Sequence, residues 1–138
     1  MQVSTVRWIG GEEFLAQMPS GHAVIFDADR KHNSAPGPME MLLGALGACS
    51  SVDVVEILRK KRQKLESFEI EISGERASEP PSVWTKIAMI YKLTGMLDEK
   101  AVRDAIELSQ NKYCSVAATL RKTAEITYQF QILPPTKG

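Results

Sequence analysis

The 138-residue sequence has little of what most functional classes require. It carries two cysteines and two histidines. Two thiols are too few for the disulfide framework of a small secreted domain, and Cys49 and Cys114 have neither CxxC nor zinc-ligand spacing. His22 and His32 sit apart in polar surroundings, so no metal is expected, structural zinc normally taking four ligands. Net charge is missing as well. The 17 Lys+Arg balance 17 Asp+Glu, leaving no basic surplus to neutralise phosphates, and no nucleic-acid partner is expected. No apolar run approaches the roughly 18 residues of a membrane span. The start, Met1 to Trp8, lacks the basic and apolar regions of a secretory leader. The expectation is a cytoplasmic protein with no membrane attachment. There is no glycine-rich phosphate loop, internal repeat or low-complexity stretch. What remains is ordinary globular composition, 43% hydrophobic and 25% charged, at a length that suits one domain, 1–138.

The periodicities divide the chain clearly. Val3, Val6 and Trp8 give a β-rich start, and Gly10-Gly11 supplies a turn. Glu13 to Ala16 and His22 to Phe26 flank Pro19-Ser20-Gly21, which predicts a hairpin. Asp27 to Gly37 reads as a loop. A long helix begins at Pro38, where proline loses no intrahelical bond, and closes on the basic run Arg59 to Lys64, favoured by the helix dipole. Between these ends only Glu40, Asp53 and Glu56 are charged, and the helix is apolar nearly all round. Such a helix is expected to be buried on every side. One short chain cannot cover Leu42, Leu46, Val52 and Val55 together, so a second subunit is expected. Phe68, Ile70 and Ile72 alternate with polar residues as a half-buried strand, and Ile87, Met89, Tyr91 and Leu93 form a second strand antiparallel to it. Asp98 is placed to cap a helix over Ala101 to Ser109. An interruption falls at Asn111-Lys112, and helix resumes over Tyr113 to Leu120. Ile126, Tyr128, Phe130 and Ile132 mark a last strand. The order ββ(β)–α–ββ–αα–β is an α+β fold with mainly antiparallel pairing.

The two thiols are the residues with chemistry to offer. A free cysteine is commonly just a small buried hydrophobe. A redox role needs a stabilised thiolate, access for an oxidant and a second thiol nearby. Mid-helix, Cys49 has no helix N-terminus beside it. Asp53 and Glu56 share its face at 100° per residue, and carboxylates there hold a thiol protonated unless a cation offsets them. Glu40 lies on the opposite face. Ser50-Ser51 has no histidine partner.

The stretch Gly37-Pro38-Met39-Glu40-Met41-Leu42-Leu43-Gly44-Ala45-Leu46-Gly47-Ala48-Cys49 resembles the proline-to-cysteine segment of the OsmC/Ohr superfamily. Asn111-Lys112-Tyr113-Cys114-Ser115-Val116 resembles its second cysteine motif. The element order also fits, so the resemblance covers nearly the whole chain, within the OsmC-like YhfA group. It implies an intertwined homodimer, with long buried central helices between mainly antiparallel sheets from both chains. It implies a thiol-dependent peroxidase that reduces organic hydroperoxides without a cofactor. Cys49 would be the peroxidatic thiol, Cys114 the resolving thiol, and a small or protein dithiol the reductant. Typical members carry a glutamate directly after the helix-starting proline. Met39 stands there in this chain, and Glu40 follows one position, about 100°, later. Typical members also carry an arginine near the N-terminal hairpin, for which Arg30 is the candidate ahead of Arg7. The alternative is a non-catalytic relative that binds a small hydrophobic molecule at the dimer cleft.

Overall fold

A computed structural model describes residues 1–136; the last two positions of the expected 1–138 domain lie outside the described residues. The chain forms two compact units, one over Met1–Gly44 and one from Ala45 onward. In the first unit β1 (Thr5–Gly10), β2 (Glu13–Gln17) and β3 (Ala23–Asp27) make an antiparallel meander in that order. Gly10, Gly11 and Gly21 all take positive φ at its two turns, conformations that cost glycine nothing. The loop after β3 is pinned from within. Asp27 accepts from the Asp29 N–H at 2.8 Å, and from the Ser34 N–H at 2.9 Å. These backbone donors, Ser34 first, hold the Asp27 carboxyl down at about 2.

Helix α1 (Pro38–Lys60) starts where the proline places it. Glu40, in its first turn, accepts from the Gly37 N–H at 2.9 Å, satisfying a donor at the entrance of the helix. At the far end Arg62 has φ 57. The Gln63 N–H donates to the Leu58 carbonyl and the Arg62 N–H to the Arg59 carbonyl, the paired bonds of a Schellman stop. As expected of one short chain, it does not cover every side of this helix by itself. Leu46, Ser50, Val54 and Leu58 are buried, one stripe at four-residue spacing, whereas Leu42 and Val52 remain exposed. Leu46 therefore needs no second subunit to cover it. The reading of apolar runs is corrected too, because α1 has the length and mean hydropathy, 1.7, of a membrane-crossing helix. Its buried stripe includes Ser50, hydrogen-bonded inside the second unit, which is how a core helix uses such a sequence.

In the second unit β4 (Lys64–Arg76) and β5 (Trp84–Met96) pair antiparallel. Ile87, Met89, Tyr91 and Leu93 are all at most 1% exposed, so the alternation of β5 is the spine of this core. Gly47 of α1 faces Ile72 of β4, where a Cβ would come within 2.8 Å of the Ile72 side chain. A side chain there would have to displace that methyl group. Helix α2 (Glu99–Leu108) is capped by Asp98, whose carboxylate accepts from the Ala101 N–H at 3.1 Å. It passes without a break into a π-helical turn, Ser109–Tyr113, and then into α3 (Ser115–Leu120). The crossover delivers β6 (Glu125–Leu133) beside β5 in parallel. That one parallel pairing stands against three antiparallel ones.

Candidate redox site

Cys49 projects from α1, half-buried, one position before the buried Ser50. Cys114 does not lie inside a helix, as its sequence context implied. It is the extended residue (φ −73, ψ 101) that closes the π turn and caps α3, and its sulfur accepts from the Ala117 N–H at 3.4 Å. Its own N–H donates to the Ser109 carbonyl at 2.8 Å, the i to i−5 bond of a π turn. The two cysteine side chains lie near enough to influence one another. Burial pushes the Cys114 thiol up to about 11, and the Cys49 sulfur and the Asp53 carboxylate add to the effect against the Ala117 N–H, which lowers it. Cys114 is therefore a protonated thiol at neutral pH. Cys49 is the less buried residue of the two. A half-buried thiol near a buried, protonated one is a workable oxidation-and-resolution pair.

Beneath the sulfurs lies a buried polar chain that the sequence reading missed. Ser109 Oγ donates to Asp53 Oδ2 at 2.9 Å. A hydroxyl has one proton, so the 2.8 Å contact between Ser50 Oγ and Ser109 Oγ is donated by Ser50. The 2.6 Å contact between Tyr91 Oη and Ser50 Oγ is then donated by Tyr91. Gln110 Nε2 donates to Tyr91 Oη at 2.6 Å, and Arg121 donates to Gln110 Oε1 at 2.8 Å. Every bond points from the guanidinium to the carboxylate. Burial also pushes the Tyr91 phenol up, which keeps it an O–H donor. No buried side-chain nitrogen or oxygen among the described residues lacks a partner. A sequence signal existed. Ser50 falls on the stripe of Leu46, Val54 and Leu58, and Ser109 continues the spacing of Val102, Ala105 and Ile106. Polar residues at positions that periodicity buries must find partners.

The remaining candidates lie in the first unit. Arg30 is exposed in the loop between β3 and α1. Arg7, on β1, donates to Gln17 Oε1 at 3.5 Å, and Glu40 caps the entrance of α1. His32 is not isolated, contrary to the sequence reading. Its Nδ1 lies 3.1 Å from Asp27 Oδ2 and 3.2 Å from Glu13 Oε1, and one ligand atom from each residue falls within 4.8 Å of the others. Two carboxylates and an imidazole suit a borderline divalent cation in type. However, the Ser34 hydroxyl also lies within hydrogen-bond reach of both Glu13 and Asp27, its one proton serving one carboxylate at a time, so the cluster already has protein partners. In the second unit, an open hollow of about 490 Å³ is lined by Ile57, Leu108 and Tyr113 with Asp53, Glu56, Lys60 and Lys61.

A paired-thiol site carried on a long helix and a π turn, over a β4-β5-β6 sheet, defines the class. The OsmC-like protein family matches residues 31–129, and the chain belongs to that family. It is 41% identical over 129 residues to Protein YhfA of Escherichia coli K12, covering 93% of this chain and 96% of that one. A hypothetical protein from Aquifex aeolicus VF5 superposes with a TM-score of 0.87 at 29% identity, covering 97% of each chain. The organic hydroperoxide resistance protein OhrB of Bacillus subtilis shares the fold at a TM-score of 0.66 and 12% identity, over 95% of this chain and 98% of that one.

Proposed function

We propose that the protein is a thiol-dependent peroxidase for organic hydroperoxides, acting through Cys49 and Cys114. The observation that carries this reading is the thiol pair itself, in which the half-buried Cys49 lies near a buried Cys114 held at about 11. The Cys49 thiolate attacks the terminal peroxide oxygen, the O–O bond breaks, and the alkoxide leaves as the alcohol after taking a proton. Cys49 becomes a sulfenic acid. The Cys114 sulfur then attacks Cys49, and the hydroxyl leaves as water with the proton that Cys114 gives up. A dithiol restores both thiols by exchange and is itself oxidised to a disulfide. Burial of Cys114 suits the first step, because a neutral thiol neither competes for peroxide nor repels the Cys49 thiolate; in the second step Cys114 gives up its proton as it attacks.

In this reading Arg30 supplies the cation that offsets the carboxylates on the Cys49 face, and Arg30→Ala slows Cys49 oxidation about tenfold, one pKa unit being a factor of ten in thiolate. Glu40 serves the entrance of α1, which its bond to Gly37 supports. The working form is a homodimer, favoured by the exposed Val52 and Leu42 of α1. The deciding experiment is peroxide consumption with cumene hydroperoxide or hydrogen peroxide and a dithiol, in wild type and Cys49→Ser. Turnover that prefers the organic peroxide and vanishes in Cys49→Ser is expected; equal, negligible turnover in both proteins overturns the reading. The second reading is a binding protein for a small hydrophobic molecule at the dimer cleft, which that inactivity would leave standing; the apolar Ile57, Leu108 and Tyr113, set among Asp53, Glu56, Lys60 and Lys61 in the hollow, are the observation in its favour.

A further inference from the structure

The chain of hydrogen bonds has no part in the peroxide step, and a core this small gains little by burying the four polar side chains Ser50, Tyr91, Ser109 and Gln110 where apolar ones would pack. What it does mechanically is specific. Ser109 and Gln110 are the first two residues of the π turn that ends at Cys114. The Ser109 hydroxyl joins two residues of α1, accepting from Ser50 and donating to Asp53. These are the immediate neighbour of Cys49 and the residue one helical turn beyond it. The Ser109 carbonyl accepts from the Cys114 N–H. One residue thus ties the backbone of one cysteine to the helix of the other. Gln110 fixes the same turn from behind, to Tyr91 of β5 and to Arg121 at the end of α3.

We propose that the chain from Arg121 to Asp53 is a positioning device for disulfide closure, with Ser109 as its pivot, which holds Cys114 against Cys49 and so raises the effective concentration of one thiol at the other. This rests on the redox reading of the thiol pair but not on the identity of the oxidant. Ser50, Tyr91, Ser109 and Gln110 are positioning residues here, since none of them touches a reacting sulfur in the contacts described. Closure removes two electrons and two protons from the pair. In a glutathione buffer both pass to glutathione disulfide, which becomes two glutathione thiols, and the equilibrium constant reads the effective concentration directly.

The test equilibrates the full chain in graded mixtures of glutathione and glutathione disulfide, and counts the Cys49–Cys114 disulfide by mass spectrometry after alkylation. Ser109→Ala is expected to lower the equilibrium constant at least tenfold, about 30 mV in potential. Val102→Ala, which removes volume from a fully buried position without deleting a hydrogen bond, is expected to stay within twofold of wild type. If Ser109→Ala does not fold, Tyr91→Phe keeps the ring and removes the middle link, with at least a threefold loss expected. An unchanged constant in the folded hydroxyl-deleted variant overturns the proposal. So does an equal fall in Val102→Ala, which would make the effect one of general packing. Absence of any disulfide in the wild-type protein would overturn the proposal and the redox reading together, whereas the first two outcomes leave that reading intact.

Discussion

At the scale of single residues, the two cysteines differ in environment more than their sequence contexts suggest. Both sit among small and apolar neighbours, so the sequence identifies them without ranking them by access. The fold does rank them. Cys114 is 3% exposed and its thiol is held at about 11, so iodoacetamide at pH 8 is expected to modify Cys49 and leave Cys114 untouched in the native state. Peptide mapping of the labelled protein checks this, and early label at Cys114 would contradict the burial. Asp27 offers a second handle. Its carboxyl is lowered from 3.8 to about 2, by the Ser34 and then the Asp29 N–H, so folding favours its ionised form. A group of that kind stabilises fully above its unfolded value and loses the contribution as pH falls through its folded one. The stability gap between wild type and Asp27→Asn is therefore expected to narrow between about pH 4 and pH 2, as followed by urea unfolding at several pH values. None of this was legible beforehand, because the partners of Asp27 come from a loop whose conformation no periodicity encodes.

At the scale of elements, the strands and α1 were legible because burial imposes a period. Phe68 to Ile72 and Ile87 to Leu93 alternate in the sequence and in the fold alike. The stop of α1 was hidden. Arg62 occupies the left-handed position of the Schellman stop, φ 57, where glycine is the usual residue. The strain that a side chain adds there is on the order of 1 kcal/mol. Arg62→Gly is accordingly expected to raise stability by up to about 1 kcal/mol, a shift that denaturant melts resolve. The π turn was foreshadowed by the break at Asn111-Lys112, but not its extent. It begins at Ser109, because the bond from the Cys114 N–H to the Ser109 carbonyl spans the whole insertion. Asp98 was legible as a cap from its place before the apolar spacing. Asp98→Ala is expected to cost about 1 kcal/mol with little change in the thiol pair, which lies at the far end of α2.

At the scale of the whole molecule, the element order was legible and the direction of the last strand was not. Nothing in Ile126 to Ile132 distinguishes a parallel from an antiparallel edge; the crossover through α2, the π turn and α3 decides it. Nor could one sequence show which part of an apolar helix its own chain covers. Only the stripe from Leu46 to Leu58 is covered, and Val52 remains 63% exposed. The proposed homodimer is expected to lose affinity when that surface is charged. Light scattering of Val52→Glu against wild type, at micromolar concentration, should register a shift towards the monomer, and a wild type that is itself monomeric would refute the dimer.

The nearness of Cys49 to Cys114 also has a thermodynamic consequence. If those sulfurs bond, the covalent link closes a loop of ~65 residues, and the chain-entropy relation assigns such a closure about 4 kcal/mol at the expense of the unfolded ensemble. The loop contains β4, β5 and α2, so it encloses most of the second unit's core. Oxidised protein would then melt well above reduced protein even with every native contact unchanged. Its resistance to heat or proteolysis would record how recently it had met an oxidant.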